Sequence, residues 1–152
     1  MYSILLICFA FGDDAKPTFD CSNLEKASDY LGRWRSAIVA ESDRAQRTGN
    51  DIGLVELNKK LVRMVDGLKG KEVSWTMQVK GSVRGQLRLR EDYVFKKSKI
   101  KVDAGPVTDI EPWMADLRPG QRVQATGTIR LVMFYDEYTF ILFSKVSIAR
   151  LP

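Results

Sequence analysis

The residues best suited to chemistry are lysines and arginines that recur at alternate positions in the C-terminal half of the chain. Successive side chains of a β-strand point to opposite faces, so residues two apart share a face. Five cations share the outward phase of the predicted strands: Lys80, Arg88, Arg90, Lys99 and Lys101. Lys96 and Lys97 fall in the connection between the second and third strands. Such a face can neutralise phosphates and release their counterions.

The charge distribution supports a basic surface in this half. Residues 68–152 contain 15 Lys and Arg against 9 Asp and Glu, a net charge of +6, whereas the preceding 67 residues carry a net −1. Positive charge is therefore concentrated where the alternating cations lie, which favours an anionic partner. The alternative is that the cations solvate a strand face and prevent edge pairing.

Aromatic rings are the weaker part of the pattern. Proteins that bind single strands stack bases on such rings, each base contributing about 1–3 kcal/mol. Most rings of this half fall on the inward phase of the predicted strands. Those expected at the surface are Tyr93, Phe95, Tyr135 and Phe143. Tyr93 and Phe95, near the end of the second strand, join the seven cations as candidate ligand-binding residues.

Catalytic and metal chemistry find little support in the residue types. The chain has no histidine, which excludes Ser-His-Asp and Cys-His nucleophiles and the usual imidazole zinc sites. Adjacent carboxylates such as Glu91 and Asp92 point to opposite faces of a strand and cannot converge on one bond. The segment Gly67-Leu-Lys-Gly-Lys71 lacks the spacing and the Ser/Thr of a phosphate-binding loop. We therefore expect a protein that is not an enzyme and has no cofactor or metal.

The N-terminal residues contain an apolar run from Tyr2 to Phe11. The run is too short to span a bilayer, so we expect no integral membrane span in the mature chain. Its length and the small residues Ala10 and Gly12 favour a signal peptide over residues 1–12, although no Lys or Arg precedes it. Cleavage would place the protein in the periplasm or cell envelope; a retained, buried segment would leave it cytoplasmic. Residues 13–21 are polar and predict a linker.

Residues 22–67 predict an α-helical hairpin. Ser22-Asn-Leu-Glu25 forms a capping box at the start of the first helix. Apolar residues at helical spacing follow in the first helix and in a second helix over 51–66: Leu24, Ala27, Leu31, Trp34 and Ile38, then Leu54, Leu57, Leu61, Met64 and Val65. Gly67 suits the position just after the helix. The stripes indicate core packing, or alternatively a face for a protein partner.

After Gly70 the apolar period changes from 3.6 to 2, which predicts strands. Arg84-Gly85 predicts a tight hairpin, and Asp136-Glu137 a second turn. A short helix with Pro112 at its first position falls between the third and fourth strands. We expect Trp75 and Gly127 to face the core. The same phase is expected for further residues of strands four and five: Val123, Ala125, Ile129, Leu131 and Met133, then Tyr138, Phe140, Leu142, Val146 and Ile148.

Five strands with one helix between the third and fourth form the element order of the OB-fold, a small Greek-key barrel. Two segments resemble the tRNA-anticodon-like group of OB domains: Leu68-Lys-Gly-Lys-Glu-Val-Ser-Trp-Thr-Met-Gln-Val-Lys-Gly-Ser-Val83 and Leu117-Arg-Pro-Gly-Gln-Arg-Val-Gln-Ala-Thr-Gly-Thr-Ile129. The resemblance covers residues 68–152. It implies a mainly β fold, a five-stranded OB barrel preceded by the helical hairpin. It also implies binding on the face of strands two and three, flanked by the loops between strands one and two and between strands four and five.

Two functional hypotheses follow. The first is a non-catalytic OB module that binds single-stranded nucleic acid or another polyanion through its basic strand face. The second is an exported cell-envelope protein that uses the barrel and the helical hairpin for protein–protein interaction. A structural domain without a ligand is also compatible with these residues, since OB domains serve many functions.

Overall fold

The computed structural model describes residues 22–152, in which two helices precede five strands. The elements are α1 (Leu24–Thr48), α2 (Ile52–Leu68), β1 (Glu72–Val83), β2 (Gln86–Phe95), β3 (Ser98–Ala104), the 3₁₀ helix η1 (Pro112–Asp116), β4 (Arg122–Phe134) and β5 (Thr139–Arg150). The predicted signal peptide, the linker and both cysteines lie outside the described residues. Among the described helices, none is long and apolar enough to cross a membrane.

The helix α1 begins one residue later than the capping box predicts. Asn23, and not Ser22, is the N-cap, and its Oδ1 accepts a hydrogen bond of 2.9 Å from the amide of Lys26. Gly49 ends the helix with a left-handed φ of 66°, which a residue without a Cβ adopts readily. The predicted stripe is confirmed in its main part, because Leu24, Ala27, Leu31 and Trp34 are buried.

The helix α2 extends beyond its predicted end. Gly67 lies inside the helix, which continues to Leu68 and is followed by Lys69 as its C-cap. Only Leu57 and Leu68 are buried along its length. Leu57 packs with Trp34 and Ala37 of α1 in a small second cluster. The predicted hairpin is confirmed, and α1 provides most of its contact with the rest of the protein.

The five strands form a closed barrel in the order β1-β2-β3-β5-β4. Neighbours pair antiparallel, except for β3 and β5, which run parallel. The long strand β1 pairs with β4 through its first half and with β2 through its second half. This order, with η1 between β3 and β4, is compatible with the OB-fold. The predicted fold class is confirmed.

The inward phase of β4 changes where its pairing with β5 becomes irregular, between Ile129 and Leu131. Up to Ile129 the predicted alternation is confirmed. Beyond it Val132 is buried, while Leu131 and Met133, which we expected inside, are only half-buried. The extra residue of a β-bulge moves every later side chain to the opposite face.

The same exchange of faces occurs in β5. Ile141 and Phe143 are fully buried, whereas Phe140 and Leu142, predicted to be inside, take the outer phase. The prediction of Phe143 as a surface ring is therefore wrong. Lys145 has a φ of 53°, and the pairing with β4 is irregular at this level. Beyond Lys145 the buried side chains return to the predicted phase.

The barrel interior is filled around Trp75, which is buried as predicted. Its ring lies 5.0 Å from that of Phe143, measured between centroids. Gly127 of β4 allows a close approach to β5, because a Cβ there would lie 2.9 Å from the carbonyl oxygen of Ser144. Met114 of η1 belongs to the same core.

The helix α1 covers the barrel end formed by the β2–β3 and β4–β5 turns. Leu24, Ala27 and Leu31 are continuous with the barrel core. Gly32 allows a close approach, since a Cβ there would lie 2.6 Å from Oγ of Ser98. That hydroxyl donates to the carbonyl of Ser28 at 3.1 Å. The β1–β2 turn, η1 and the end of β3 lie at the opposite end.

The exchanged phase of β5 can be tested on two phenylalanines of one strand. Phe143→Ala removes a fully buried ring and should lower the free energy of unfolding by about 3–5 kcal/mol. Phe140→Ala, three residues away, should cost only about 1 kcal/mol. Chemical denaturation of both variants and of the parent protein measures the two values. A larger cost for Phe140→Ala would contradict the bulged register.

Candidate functional site

The outer face of β2 and β3 carries most of the predicted cations, interrupted by carboxylates. The outward side chains of β2 are exposed, and three of them lie directly opposite residues of β3. These pairs are Arg90 with Asp103, Asp92 with Lys101, and Val94 with Lys99. The structure therefore brings the predicted side chains together in a ladder of mixed charge rather than a uniformly basic surface.

Arg90 is held by a carboxylate of the neighbouring strand. Its Nε lies 2.7 Å from Oδ1 of Asp103, and its Nη2 lies 3.2 Å from Oδ2. The hydrogen bonds that Arg90 donates to Asp103, together with the attraction of the carboxylate charge, raise the pKa of the Arg90 guanidinium. Because half of the Arg90 side chain is exposed, the pair adds only about 0–1 kcal/mol to stability. Its main effect is to offset one positive charge of the face.

Three further cations of the predicted site contact neutral groups or a distant acid. Lys101 places its Nζ 4.2 Å from the centroid of the Tyr138 ring. Lys96 lies 5.0 Å from the ring centroid of Phe95, and its Nζ is 3.8 Å from Oδ1 of Asp29 on α1. Lys80 donates to the side-chain oxygen of Gln78 at 2.6 Å. These contacts leave the charges of Lys80 and Lys101 without a salt bridge within residues 22–152.

Arg88, Lys97 and Lys99 are the freest cations of the predicted set. All three side chains belong to exposed residues. None of them forms a salt bridge with another residue in the described part of the chain. Arg88 lies near the start of β2, whereas Lys97 in the β2–β3 turn and Lys99 on β3 lie at the other end of the face. These side chains can bind an anionic ligand without first breaking an ion pair.

Tyr93 and Phe95 lie on a different side of β2 from the cations. They share the phase of Leu89 and Glu91, which are buried. Tyr93 is half-buried, packs against the core, and pairs with the buried residue Ile100. The expectation that these two rings stand on the outer surface is therefore wrong. Their place in the barrel wall leaves β2 without a stacking ring among its outward residues.

The outward rings are found on β4 and β5 instead. Because the pairing of β4 with β5 is irregular near Ile129 and near Lys145, the outer surface of these two strands is apolar where they approach the β4–β5 turn. We call it the aromatic platform, and its residues are Leu131, Met133, Tyr135, Tyr138, Phe140 and Leu142. The rings of Tyr135 and Tyr138 lie 4.8 Å apart between centroids. The sequence shows the alternation of Tyr138, Phe140 and Leu142, but nothing in it reveals that this set points outward.

The aromatic platform is continuous with the cations of β3. The parallel pairing places Lys101 beside Phe140, and Asp103 beside Leu142. Lys101 also contacts Tyr138, so it stands at the border between rings and charges. Cationic and aromatic side chains in adjacent rows can hold a phosphate and the base attached to it. The site thus extends over β2, β3, β5 and β4, further round the barrel than predicted.

Acidic groups are not clustered for metal binding in the described residues. No group of three or more His, Cys, Asp or Glu there could hold a metal ion. Glu91 is buried, but its Oε1 accepts a hydrogen bond of 2.8 Å from Nη2 of Arg122. This pairing gives Glu91 a structural partner across the barrel wall.

No protein-family model matches the sequence, and no curated protein matches it significantly. The fold is therefore assigned from strand order, the position of η1 and the closed barrel. The interpretation of the site rests on its geometry.

Removal of the acid that holds Arg90 should make the face more basic. Asp103→Asn leaves Arg90 exposed and without its carboxylate, so retention on immobilised heparin should require more salt for elution. Asp43→Asn on the exposed surface of α1 makes the same change in net charge away from the face. Equal shifts for the two variants would show that net charge alone, and not this ladder, controls the binding of polyanions.

Proposed function

We propose that this protein is a non-catalytic OB-type module that binds single-stranded nucleic acid, or another polyanion, on the outer face of the barrel. The observation that carries the proposal is the contact between Lys101 and Tyr138, where the row of cations meets the aromatic platform. Phosphates bind to the lysines and arginines, and the bases lie against the rings. Neither row alone distinguishes a nucleic acid from any other anion.

The platform favours unpaired bases over a duplex. Bases inside a duplex already stack on one another, whereas those of a single strand are available to protein rings. Each stacked base adds about 1–3 kcal/mol in proteins of this kind. The exposed ring of Tyr135 and the half-buried rings of Tyr138 and Phe140 provide such a surface.

The cationic part of the site lies where this fold binds ligands in other proteins. OB domains bind oligonucleotides on the face of strands two and three, between the β1–β2 and β4–β5 loops. The finer resemblance to the tRNA-anticodon-like group is part of the same proposal and rests on residues 68–83 and 117–129. The ladder of mixed charge makes electrostatic attraction moderate, so stacking carries more of the affinity here than a wholly basic groove would require.

A second candidate function is protein–protein interaction through the helical hairpin, which the surface of α2 supports. Ile52, Val55 and Val62 are 68%, 46% and 59% exposed. Their spacing of three and seven residues places them along one side of the helix. An exported envelope protein could use this stripe for a partner. The first candidate has the stronger support, because its cations and rings are of complementary chemistry.

The contribution of charge can be measured with a pair of matched double variants. Arg88→Ala/Lys99→Ala removes two free cations from the face and should weaken binding of a labelled single-stranded oligonucleotide. The slope of log K against log salt should decrease by about 1.4, because each phosphate contact to a single strand contributes about 0.7. Fluorescence anisotropy at several salt concentrations gives both values.

The matched control is Lys60→Ala/Arg63→Ala, which removes one lysine and one arginine from the exposed surface of α2. It should leave the slope almost unchanged. Equal losses for the two double variants would indicate non-specific attraction. Absence of binding by the parent protein at low salt would overturn the proposal and favour the protein-binding candidate.

The contribution of the rings can be separated from that of charge. Tyr138→Ala should lower the affinity for an oligonucleotide by about 1–3 kcal/mol, while affinity for an abasic strand of equal length should change little. Tyr138→Phe, which keeps the ring, should retain most of the difference between the two strands. Equal loss on both strands would mean that Tyr138 acts through Lys101 and not through stacking.

A further inference from the structure

A cleft opens at the barrel end opposite α1, between the β1–β2 turn and the chain that follows β3. Its volume is about 450 Å³, which falls within the range of small-ligand sites. Apolar side chains line it together with Gln86 and two arginines, one from the turn and one from β2: Val83, Leu87, Ala104 and Pro106, with Arg84 and Arg88. The cleft adjoins the basic face, because Arg88 belongs to both.

The charge of the cleft is unbalanced. Arg84 and Arg88 are its only charged lining residues, and no carboxylate lines it. Neither guanidinium forms a salt bridge with any residue between 22 and 152, whereas Arg90, the next outward residue of β2, is held by Asp103. Guanidinium groups donate paired hydrogen bonds whose geometry fits phosphate and carboxylate. The cleft is therefore suited to an anion.

The backbone holds both sides of the cleft in place. Arg84 has a φ of 52° and Gly85 a φ of 75°, the left-handed values of a tight hairpin in which Asn-Gly is preferred. Arg84 is unfavourable in this turn, because a residue with a Cβ rarely adopts a positive φ. Residues held in such a strained backbone conformation are often found at ligand sites. On the other side, the amide of Gly105 donates to the carbonyl of Phe143 at 2.9 Å. A Cβ on Gly105 would lie 2.8 Å from that oxygen, so the chain runs close against β5.

The number of positive charges points to a doubly charged anion. An internal phosphodiester carries one negative charge, whereas a phosphomonoester carries about 1.5–2 at neutral pH. Two free arginines match the second group better. The position of the cleft, where the basic face ends, fits the last residue of a bound strand, and its apolar walls can accommodate a sugar.

We propose that this cleft binds a phosphomonoester, supplied either by the phosphorylated end of a nucleic acid strand or by a free mononucleotide. The first source rests on the proposed function, and the second does not. The strand would then be bound with its phosphorylated end at Arg84 and its bases toward the aromatic platform.

The test compares oligonucleotides that differ only in their ends. Strands with a 5′-phosphate, a 3′-phosphate or hydroxyl ends are titrated into the full-length protein, with anisotropy as the readout. One phosphorylated strand should bind about tenfold more tightly than the hydroxyl strand, the effect expected for hydrogen bonds to a charged group. Arg84→Asn keeps a residue suited to the turn while it removes the charge, and should abolish this difference. Arg63→Gln on α2 is the matched control and should preserve it.

A second arm identifies a free nucleotide as the source. Adenosine 5′-monophosphate and unphosphorylated adenosine are titrated into ¹⁵N-labelled protein. Amide chemical-shift changes are expected at Gly85, Leu87 and Gly105 with the monophosphate but not with adenosine, and they should vanish in Arg84→Asn. This result would support binding of a phosphomonoester in the cleft, even without a preference among strand ends. No end preference together with no phosphate-dependent shifts would overturn the inference. Hydroxyl-ended strands that fail to bind would count against the proposed function alone.

Discussion

The narrow interior of a five-stranded barrel is the constraint on which the rest of this structure depends. It holds alternate side chains of each strand and little else, and the contact between Trp75 and Phe143 fills its centre. Once Phe143 faces inward, Phe140 and Tyr138 must face outward. The aromatic surface of the protein is thus a consequence of how its core is filled, and Gly127 contributes by giving the packed rings space against β5.

The helical hairpin determines which parts of the barrel remain accessible. By covering the end with the β2–β3 and β4–β5 turns, α1 joins the core through Leu31 and brings Asp29 close to Lys96. Arg35 also donates from α1 to the carbonyl of Tyr135 at 3.0 Å. The hairpin therefore borders the candidate site at both turns. The outer strand face and the opposite end of the barrel are left open, and Arg88 and Lys99 lie in these open regions.

The order of elements and the outward position of most cations could be predicted from the sequence, because both depend on local periodicity and turn residues. The position of the aromatic platform depends on single-residue irregularities near Ile129 and at Lys145, which leave no local signal in the amino-acid pattern. The offset of charge on the face also escaped prediction. Arg90 lies opposite Asp103 because of the pairing register of β2 and β3, which cannot be derived from either strand alone. Tyr93 and Phe95 follow Leu89 at alternate positions and therefore share its inward phase, although they are close to the lysines in sequence.

The parallel pairing of β3 with β5 has a consequence for the order in which the chain folds. The hairpins β1–β2 and β2–β3 join neighbouring segments, whereas β5 must find β3 across the intervening 3₁₀ helix and β4. Pairings between distant segments form slowly, because the loop must be closed before its contacts are gained. Until β5 docks, β3 presents an unpaired edge whose backbone groups can join another chain. Lys101 lies on this edge, and Lys99 and Lys97 precede it. Their like charges repel the same segment of a second chain and so oppose aggregation of the unfinished barrel.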